Sequence, residues 1–158
     1  INTQYIVIAH EGKQDLEKSI PKKLRAWRNN DAYSYQFIII RDKDSGNCND
    51  IKLQLMDMAV QAGRDDTIVI IAVHELESWF LGDLAAIEEE YGIAHLSQKQ
   101  QTKKYRSPDA IASPSEEIFK ITKHISKIAR AKKIARSMDF QNNASASFNH
   151  FLKKIDEL

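Results

Sequence analysis

The sequence contains a single cysteine, Cys48, among its 158 residues. An internal disulfide needs two cysteines, and a CxxC metal site needs a closely spaced pair, so this composition excludes both. A chain with one unpaired thiol is typical of a reducing compartment. We therefore expect a cytoplasmic protein.

The sequence also has no long apolar run and little net charge. No stretch reaches the roughly 20 consecutive apolar residues that a membrane-spanning helix needs. The formal net charge is only +1, so the total charge gives no indication of a nucleic-acid partner. Repeats, low-complexity tracts and flexible linkers are missing as well. With an ordinary apolar fraction of 42%, the chain is predicted to form one domain, 1–158, with its own core.

The charges are nevertheless unevenly distributed. Seven of the 23 Lys and Arg residues lie between Ile118 and Met138, where there is no acid, so the rest of the chain carries 16 basic and 22 acidic residues. Apolar residues at spacings of three and four, among them Ile125, predict one amphipathic helix over this segment, with a buried isoleucine stripe and seven exposed cations. Such a face suits a phosphate backbone, an acidic protein surface or plain solvent. If the partner is a phosphate backbone, the predicted nucleic-acid contacts are Lys127, Arg130, Lys132 and Lys133.

A second basic stretch lies in a region that is predicted to be a loop, residues 92 to 114. Cations flank an aromatic residue there, in the sequence Lys103, Lys104, Tyr105, Arg106. Aromatic rings stack on bases while neighbouring cations bind the backbone of a single strand. This pattern predicts nucleic-acid contacts by Lys104 and Arg106, although short basic loops are also common without such a role.

Three continuous apolar runs predict the strands of a sheet. Continuous runs are typical of strands that are covered on both faces, and helical patterns lie between them. The fold class is therefore α/β: a three-layer domain with a central parallel sheet in residues 1–91 and a helical part, 115–158, packed on it. The predicted strands are Tyr5–Ala9, Phe37–Ile40 and Thr67–Val73, and the main predicted helices are about Gln14–Arg28, broken or restarted at Pro21, then Ile51–Ala62 and Phe148–Ile155.

Two aspartates, Asp42 and Asp44, follow the second predicted strand. Side chains alternate along a strand, so residues two apart point to the same side. Two neighbouring carboxylates repel each other unless a divalent cation, typically Mg²⁺, lies between them. Ligands of open α/β sheets bind beyond the carboxyl ends of strands, and Gly46 permits a tight turn there. Alternatively, both acids are ordinary turn residues, and Asn47, Asn49 or Asp50 caps the next helix.

Two glutamates, Glu75 and Glu77, follow the third predicted strand. If the second and third strands are neighbours, either glutamate approaches the aspartate pair, and Glu75 is the candidate third ligand of an oxygen-rich cation site. The fourth residue after His74 is Ser78, so the HExxH zinc motif is excluded. Alternatively, one of the glutamates begins a helix, where an acid favours the positive end of the helix dipole.

Several sequence blocks together resemble a known family. In chain order and over nearly the whole chain, HEGKQDLEKSIPKKLRAW, FIIIRDKDSGNC, HELESWFLGDLAAIE, SPSEEI and NNASASFNHF resemble a bacterial domain-of-unknown-function family usually described as Toprim-like. Toprim domains of topoisomerases, primases and overcoming-lysogenization-defect nucleases place a glutamate and an Asp-x-Asp pair around Mg²⁺. The resemblance implies a nuclease or related phosphoryl-transfer domain that uses Mg²⁺ or Mn²⁺ and works with an ATPase partner in phage defence.

The resemblance also assigns roles to residues. Asp42 and Asp44 match the Asp-x-Asp pair, and Glu11 matches the Toprim glutamate, which acts as general acid and base. Relatives of this family carry a further strand and helix upstream. We therefore expect this chain to be a fragment in which the residue that matches the Toprim glutamate precedes Ile1. The alternative is that Glu11 is that residue. Lys43 or Arg41 is a candidate for stabilising the phosphate during the reaction.

A function of another class fits the same sequence. The basic segment 118–138 suits a non-catalytic module that binds an ATPase or a nucleic acid. An Asp-x-Asp pair with Mn²⁺ also occurs in nucleotide-sugar transferases, but this chain is short for that class and shows no sugar-acceptor subdomain.

Overall fold

A computed structural model describes residues 5–27, 34–123 and 126–158. The fold is mixed α/β and mostly helical. Within the described residues, no helix is long and apolar enough to cross a membrane. In chain order the elements are α1 (Lys13–Trp27), β1 (Ile38–Asp42), α2 (Cys48–Gln61), β2 (Ile68–Ala72), α3 (Glu77–Leu81), α4 (Leu84–Tyr91), α5 (Pro114–Thr122), α6 (Lys127–Ile134) and α7 (Ala146–Asp156), with short 3₁₀ turns at Ser97–Lys99 and Pro108–Ala110.

β1 and β2 form a parallel sheet, which has two strands within the described residues. Two hydrogen bonds mark the ends of the pairing. The Ile68 N–H donates to the Phe37 carbonyl at 2.9 Å, and the Lys43 N–H donates to the Ala72 carbonyl at 2.9 Å, so both strands run in the same direction. The α/β class and the parallel strands are thus confirmed, whereas the three-layer arrangement stays a prediction. Complete burial of the β1 apolar run is not observed, because Ile40 is 37% exposed.

The run Tyr5–Ala9 is not a strand. Its residues have no regular secondary structure, and exposure rises to 91% at Val7. The predicted buried strand is therefore wrong. An apolar run shows that a strand is possible, but it does not supply the neighbouring backbone with which a strand must share its hydrogen bonds.

The first helix is close to its predicted range, but its proline behaves differently. α1 covers Lys13–Trp27, and Pro21 lies inside it; the predicted last residue, Arg28, lies outside the described residues. The expectation that Pro21 breaks the helix is wrong, although a proline cannot donate the helical hydrogen bond. Ile20 and Leu24, on either side of it, are both buried, and burial of this apolar face stabilises the helix.

The chain groups into two compact units that interleave in sequence. The first contains the described residues of Ile1–Ile39 and Lys52–Val69, and the second contains Ile40–Ile51 and Ile70–Leu158. In the first unit, Arg64 binds the Asp66 carboxylate through Nε and Nη2, at 2.8 and 2.6 Å, and lies over the Phe37 ring. Division of one domain into 1–91 and 115–158 stays a prediction.

The short helix α3 is the centre of the second unit. It packs against α4, α5 and α6, and Phe80 and Leu81 belong to the main apolar cluster. Trp79 contacts the Phe148 and Phe151 rings of α7, at centroid distances of 5.4 and 5.1 Å. The predicted last helix is thus confirmed. Because α3 directly follows β2, this packing fixes the position of the acids at the end of β2.

The prediction of one long helix from 118 to 138 is wrong. α5 ends at Thr122, and Lys123 adopts the left-handed conformation (φ 55°, ψ 17°). α6 begins at Lys127, where the Ser126 hydroxyl accepts the Ala129 N–H. A serine cap competes with continuation of a helix, which spacing alone does not reveal. Ile125, a member of the predicted apolar stripe, lies outside the described residues.

Candidate active site at the strand ends

The turn after β1 carries the two aspartates. Asp42 is the last residue of β1, and Asp44 adopts the left-handed conformation (φ 52°). The alternation of a strand therefore does not extend to Asp44, and that argument for placing the two carboxylates on one side is wrong. The turn is attached to the end of β2, because the Asp44 N–H donates to the His74 carbonyl at 3.1 Å.

Gly46 and Asn47 connect this turn to α2. A Cβ atom at Gly46 would lie only 2.7 Å from Ile51 Cδ1, so the glycine permits a close approach of the turn to the helix. The Asn47 side chain accepts the backbone N–H of Asn49 (2.8 Å) and of Asp50 (3.4 Å). Capping of α2 by Asn47, which the alternative interpretation of this stretch predicted, is confirmed.

Asp42 lies among three other carboxylates. Burial raises its pKa to about 6, against the lowering effect of the Leu76 N–H, and the charges of Glu77, Asp44 and Glu75 raise it further. The Leu76 N–H donates to Asp42 Oδ1 at 2.8 Å. The three other carboxylates are therefore close enough to affect Asp42 electrostatically. The structure thus brings together the acids predicted at the two strand ends, while their roles as ligands stay predictions.

Both glutamates have further contacts in the second unit. Glu75 Oε2 accepts the Ser115 N–H, at the beginning of α5, at 2.8 Å, so this carboxylate stabilises the N-terminal end of α5. Glu77 is the first residue of α3, as the alternative interpretation predicted for one of the glutamates. The Lys127 ammonium lies 3.9 Å from Glu75 Oε1 and 3.5 Å from Glu77 Oε1.

A cleft of about 370 Å³ opens beside these acids. Its walls come from both strand ends, from the start of α5 and from the start of α6. His74 has the left-handed conformation (φ 62°), and such sparsely populated conformations concentrate at functional sites. The lining includes Asp44, His74, Glu75, Ser113, Ser115 and Lys127.

The cations of the basic segment have different environments. Arg130 is only 3% exposed and lies 4.0 Å from Glu77 Oε1, so the expectation that all seven cations are exposed is wrong for Arg130. The Lys133 ammonium lies 4.3 Å from the centroid of the Tyr91 ring, and Lys132 is exposed. Their assignment as nucleic-acid contacts stays a prediction, and for Arg130 the structure shows a partner inside the fold.

The predicted basic loop is attached to α5. Lys104 Nζ lies 2.6 Å from Glu117 Oε1, and the Tyr105 hydroxyl donates to the same oxygen at 2.5 Å. Tyr105 is buried, whereas Arg106 is exposed. Stacking of a base on Tyr105 would therefore require the ring to leave its site. Nucleic-acid contacts by Lys104 and Arg106 stay predictions.

The donor set is small for a metal centre built from protein ligands alone. Within residues 5–27, 34–123 and 126–158, no group of three or more His, Cys, Asp and Glu side chains is arranged to hold a metal ion. Glu11 belongs to the first unit, where its backbone N–H donates to Asp15 Oδ2 at 3.1 Å. Asp42 and Asp44 remain as a carboxylate pair. Such a pair fits Mg²⁺, because this ion keeps several waters and is held by one or two carboxylates together with substrate phosphates.

Sequence reasoning missed the partners of the glutamates and the position of His74. Lys127 and Arg130 follow Glu77 by about 50 residues in the chain, and spacing gives no information over such a distance. The one available signal was charge complementarity between the acidic HELE stretch and the basic segment.

A comparison with protein-family models finds a match to this chain. The sequence model of a family described as "Domain of unknown function (DUF4276)" matches residues 7–156, which is nearly the whole chain. No curated protein and no solved structure matches the chain. The expected membership of a domain-of-unknown-function family is confirmed, and its Toprim-like relationship stays a prediction.

Proposed function

The chain belongs to the DUF4276 family, and we propose that it is a Toprim-like, Mg²⁺-dependent nuclease or related phosphoryl-transfer domain. The observation that carries this proposal is the convergence of Asp42, Asp44, Glu75 and Glu77 at the ends of two paired strands, where the pKa of Asp42 is raised to about 6. Carboxylates that repel one another and are kept together beside a cleft are typical of functional sites. A three-layer Toprim-like arrangement and a cytoplasmic location belong to the same proposal.

Asp42 and Asp44 are the proposed metal ligands. A Mg²⁺ or Mn²⁺ ion held by them would neutralise the charge that develops on a phosphate. The Leu76 N–H orients the Asp42 carboxylate. Glu75 contributes through a water molecule in this proposal, because its Oε2 already accepts the Ser115 N–H. Glu11 is proposed as general acid and base by the resemblance alone.

Nucleic acid is the proposed substrate. The Lys127 ammonium lies 3.5 Å from Glu77 Oε1, and Lys132 and Arg136, further along the chain, are also exposed, so exposed cations are available to a nucleic acid. Each contact between a cation and the backbone adds affinity that falls as the salt concentration rises. The ATPase partner and the role in phage defence are proposed from the resemblance alone.

Cleavage assays test this function. Supercoiled plasmid and single-stranded RNA would be incubated with the protein in Mg²⁺ or Mn²⁺, comparing the wild type with Asp44→Asn. Asparagine tolerates the left-handed conformation of residue 44, so the turn is retained while a proposed metal ligand is lost. We expect cleavage to fall by at least about 100-fold.

Glu89→Gln is the matched control, because it removes one carboxylate from an exposed position on α4. Cleavage by this variant should equal that of the wild type. Metal-dependent cleavage that is as fast in Asp44→Asn as in Glu89→Gln would contradict the proposed function.

A further inference from the structure

The cleft beside the aspartates has more acidic than basic side chains in its lining, so it repels anions. Asp44, Glu75 and Glu116 contribute carboxylates, and Lys127 is the one lysine or arginine among the described residues that line it. A phosphate group entering this cleft meets more negative than positive charge unless a divalent cation is bound as well. The position of Lys127 therefore matters for any anionic ligand.

The contacts of Lys127 leave its ammonium available. The side chain is 62% exposed, and its distances to Glu77 Oε1 and Glu75 Oε1 are 3.5 and 3.9 Å. These exceed the 2.7–3.2 Å that is usual for N–H···O hydrogen bonds. By contrast, Lys104 lies 2.6 Å from Glu117, as expected for a lysine that stabilises the fold.

The break between α5 and α6 brings Lys127 to the cleft. In one continuous helix, residues 115 and 127 would lie about 18 Å apart along the axis. Here Ser115 and Lys127 line the same cleft, because α5 ends at Thr122 and α6 begins at Lys127. The break between the two helices thus goes together with a cation in the cleft that the start of α5 also lines.

We propose that Lys127 is a phosphate-binding residue, which holds a backbone phosphate of a nucleic-acid strand in the cleft that Asp44 also lines. This inference rests on the proposed function, since it names the residue that positions the substrate beside the carboxylates. Lysine suits the role because its ammonium is a compact charge on a flexible stem that reorients toward a phosphate.

A purely structural role would have different consequences. If Lys127 only neutralises Glu75 and Glu77, its removal weakens anion binding no more than the removal of another exposed lysine does. If it binds phosphate, its removal has opposite effects on two ligands. The cleft then becomes more negative, so a divalent cation binds more tightly, while an oligonucleotide loses a charged contact and binds more weakly.

The test uses the whole chain and two probes. Mn²⁺ binding is measured by calorimetry, and binding of a short 5′-labelled oligodeoxythymidylate is measured by fluorescence anisotropy in Ca²⁺, which replaces Mg²⁺ so that the probe stays intact. Lys127→Met keeps much of the aliphatic stem, and Lys153→Met is the matched control, because Lys153 is an exposed lysine on α7 in the same unit. Lys127→Arg tests whether positive charge suffices.

We expect Lys127→Met to bind the oligonucleotide about 10-fold more weakly and Mn²⁺ about twofold more tightly. Lys153→Met should stay within about twofold of the wild type for both probes, and Lys127→Arg should keep most of the oligonucleotide affinity. Equal oligonucleotide affinity in the two Met variants, whether both fall or neither does, would overturn the inference. Failure of the wild type to bind Mn²⁺ would instead contradict the proposed function.

Discussion

The Asp42 carboxyl is held at the end of β1 in surroundings that disfavour its negative charge. Burial is the first cause, and the charges of Glu77, Asp44 and Glu75 add to it, so that its pKa is raised to about 6. The folded chain therefore binds a proton at Asp42 more tightly than the unfolded chain does. The stability that this group contributes is fully present below about pH 4 and is lost as the pH rises through about 6.

Asp42→Asn should consequently stabilise the protein at neutral pH. An amide removes the unfavourable charge and still offers an oxygen to the Leu76 N–H. A pKa change of this size corresponds to a gain of at most about 3 kcal/mol in the free energy of unfolding. Because the group is partly exposed, we expect a gain of about 1–2 kcal/mol at pH 7.5. Near pH 4.5 the two proteins should differ much less. Urea unfolding at both pH values measures these free energies, and a variant less stable than the wild type at pH 7.5 would contradict the account.

The carboxylates could be found from the sequence because strand ends and charged residues are local features. The apolar runs end at or just before Asp42, Glu75 and Glu77. These acids therefore lie close together if β1 and β2 are neighbouring strands. The conformation of Asp44 could not be found, because no glycine marks the left-handed position. Burial of Arg130 escaped prediction for another reason: an arginine on a helix is normally exposed, and its acidic partner lies far away in the chain.

The break between helices α5 and α6 changes the partners that the cations of the basic segment can contact. A single helix would present its cations along one line, as a phosphate backbone requires. The observed pair of helices instead directs Lys127 and Arg130 toward Glu77, while Lys132 stays exposed. The segment therefore stabilises the acidic strand end as well as offering cations to a partner.

Replacing Lys123 by glycine tests this break. Lys123 has φ 55° at the end of α5, where glycine is the preferred residue because it lacks a Cβ atom. We expect Lys123→Gly to raise the free energy of unfolding by about 0.5–1 kcal/mol. A continuous helix predicts the opposite sign, a loss of about 1 kcal/mol.

Lys120→Gly is the control for this variant. Lys120 lies within α5, so glycine there should lower the free energy of unfolding by about 1 kcal/mol. Chemical denaturation of both variants gives the comparison. Destabilisation of the same size at positions 120 and 123 would show that the helix continues through residue 123.

The elements differ in how well the sequence predicted them. α2, β2 and α7 carry clear periodic patterns together with local end signals, such as Gly63 (φ 77°) after α2 and the Ser145 cap of α7, which accepts the Phe148 N–H. The run Tyr5–Ala9 has the composition of a strand but no described strand beside it. Pairing depends on residues far away in the chain, so composition could not decide it.

In the whole molecule, the negative charge is concentrated at the strand ends, and we propose that it serves to hold a divalent cation. The net charge of +1 conceals it, because acids and bases lie in separate stretches. The second unit joins them, with the carboxylates at the strand ends and the basic helix beside them. A divalent cation would relieve the repulsion among the acids and create the site at which a phosphate binds.

Calorimetric titration with Mn²⁺ tests whether the carboxylates at the strand ends hold a divalent cation. We predict saturable binding by the wild type that is lost in Asp42→Asn/Asp44→Asn. The double variant Glu89→Gln/Asp156→Asn removes the same charge from exposed positions in the second unit and should bind as the wild type does. Mn²⁺ binding of equal strength in both double variants, or no binding by the wild type, would contradict the account.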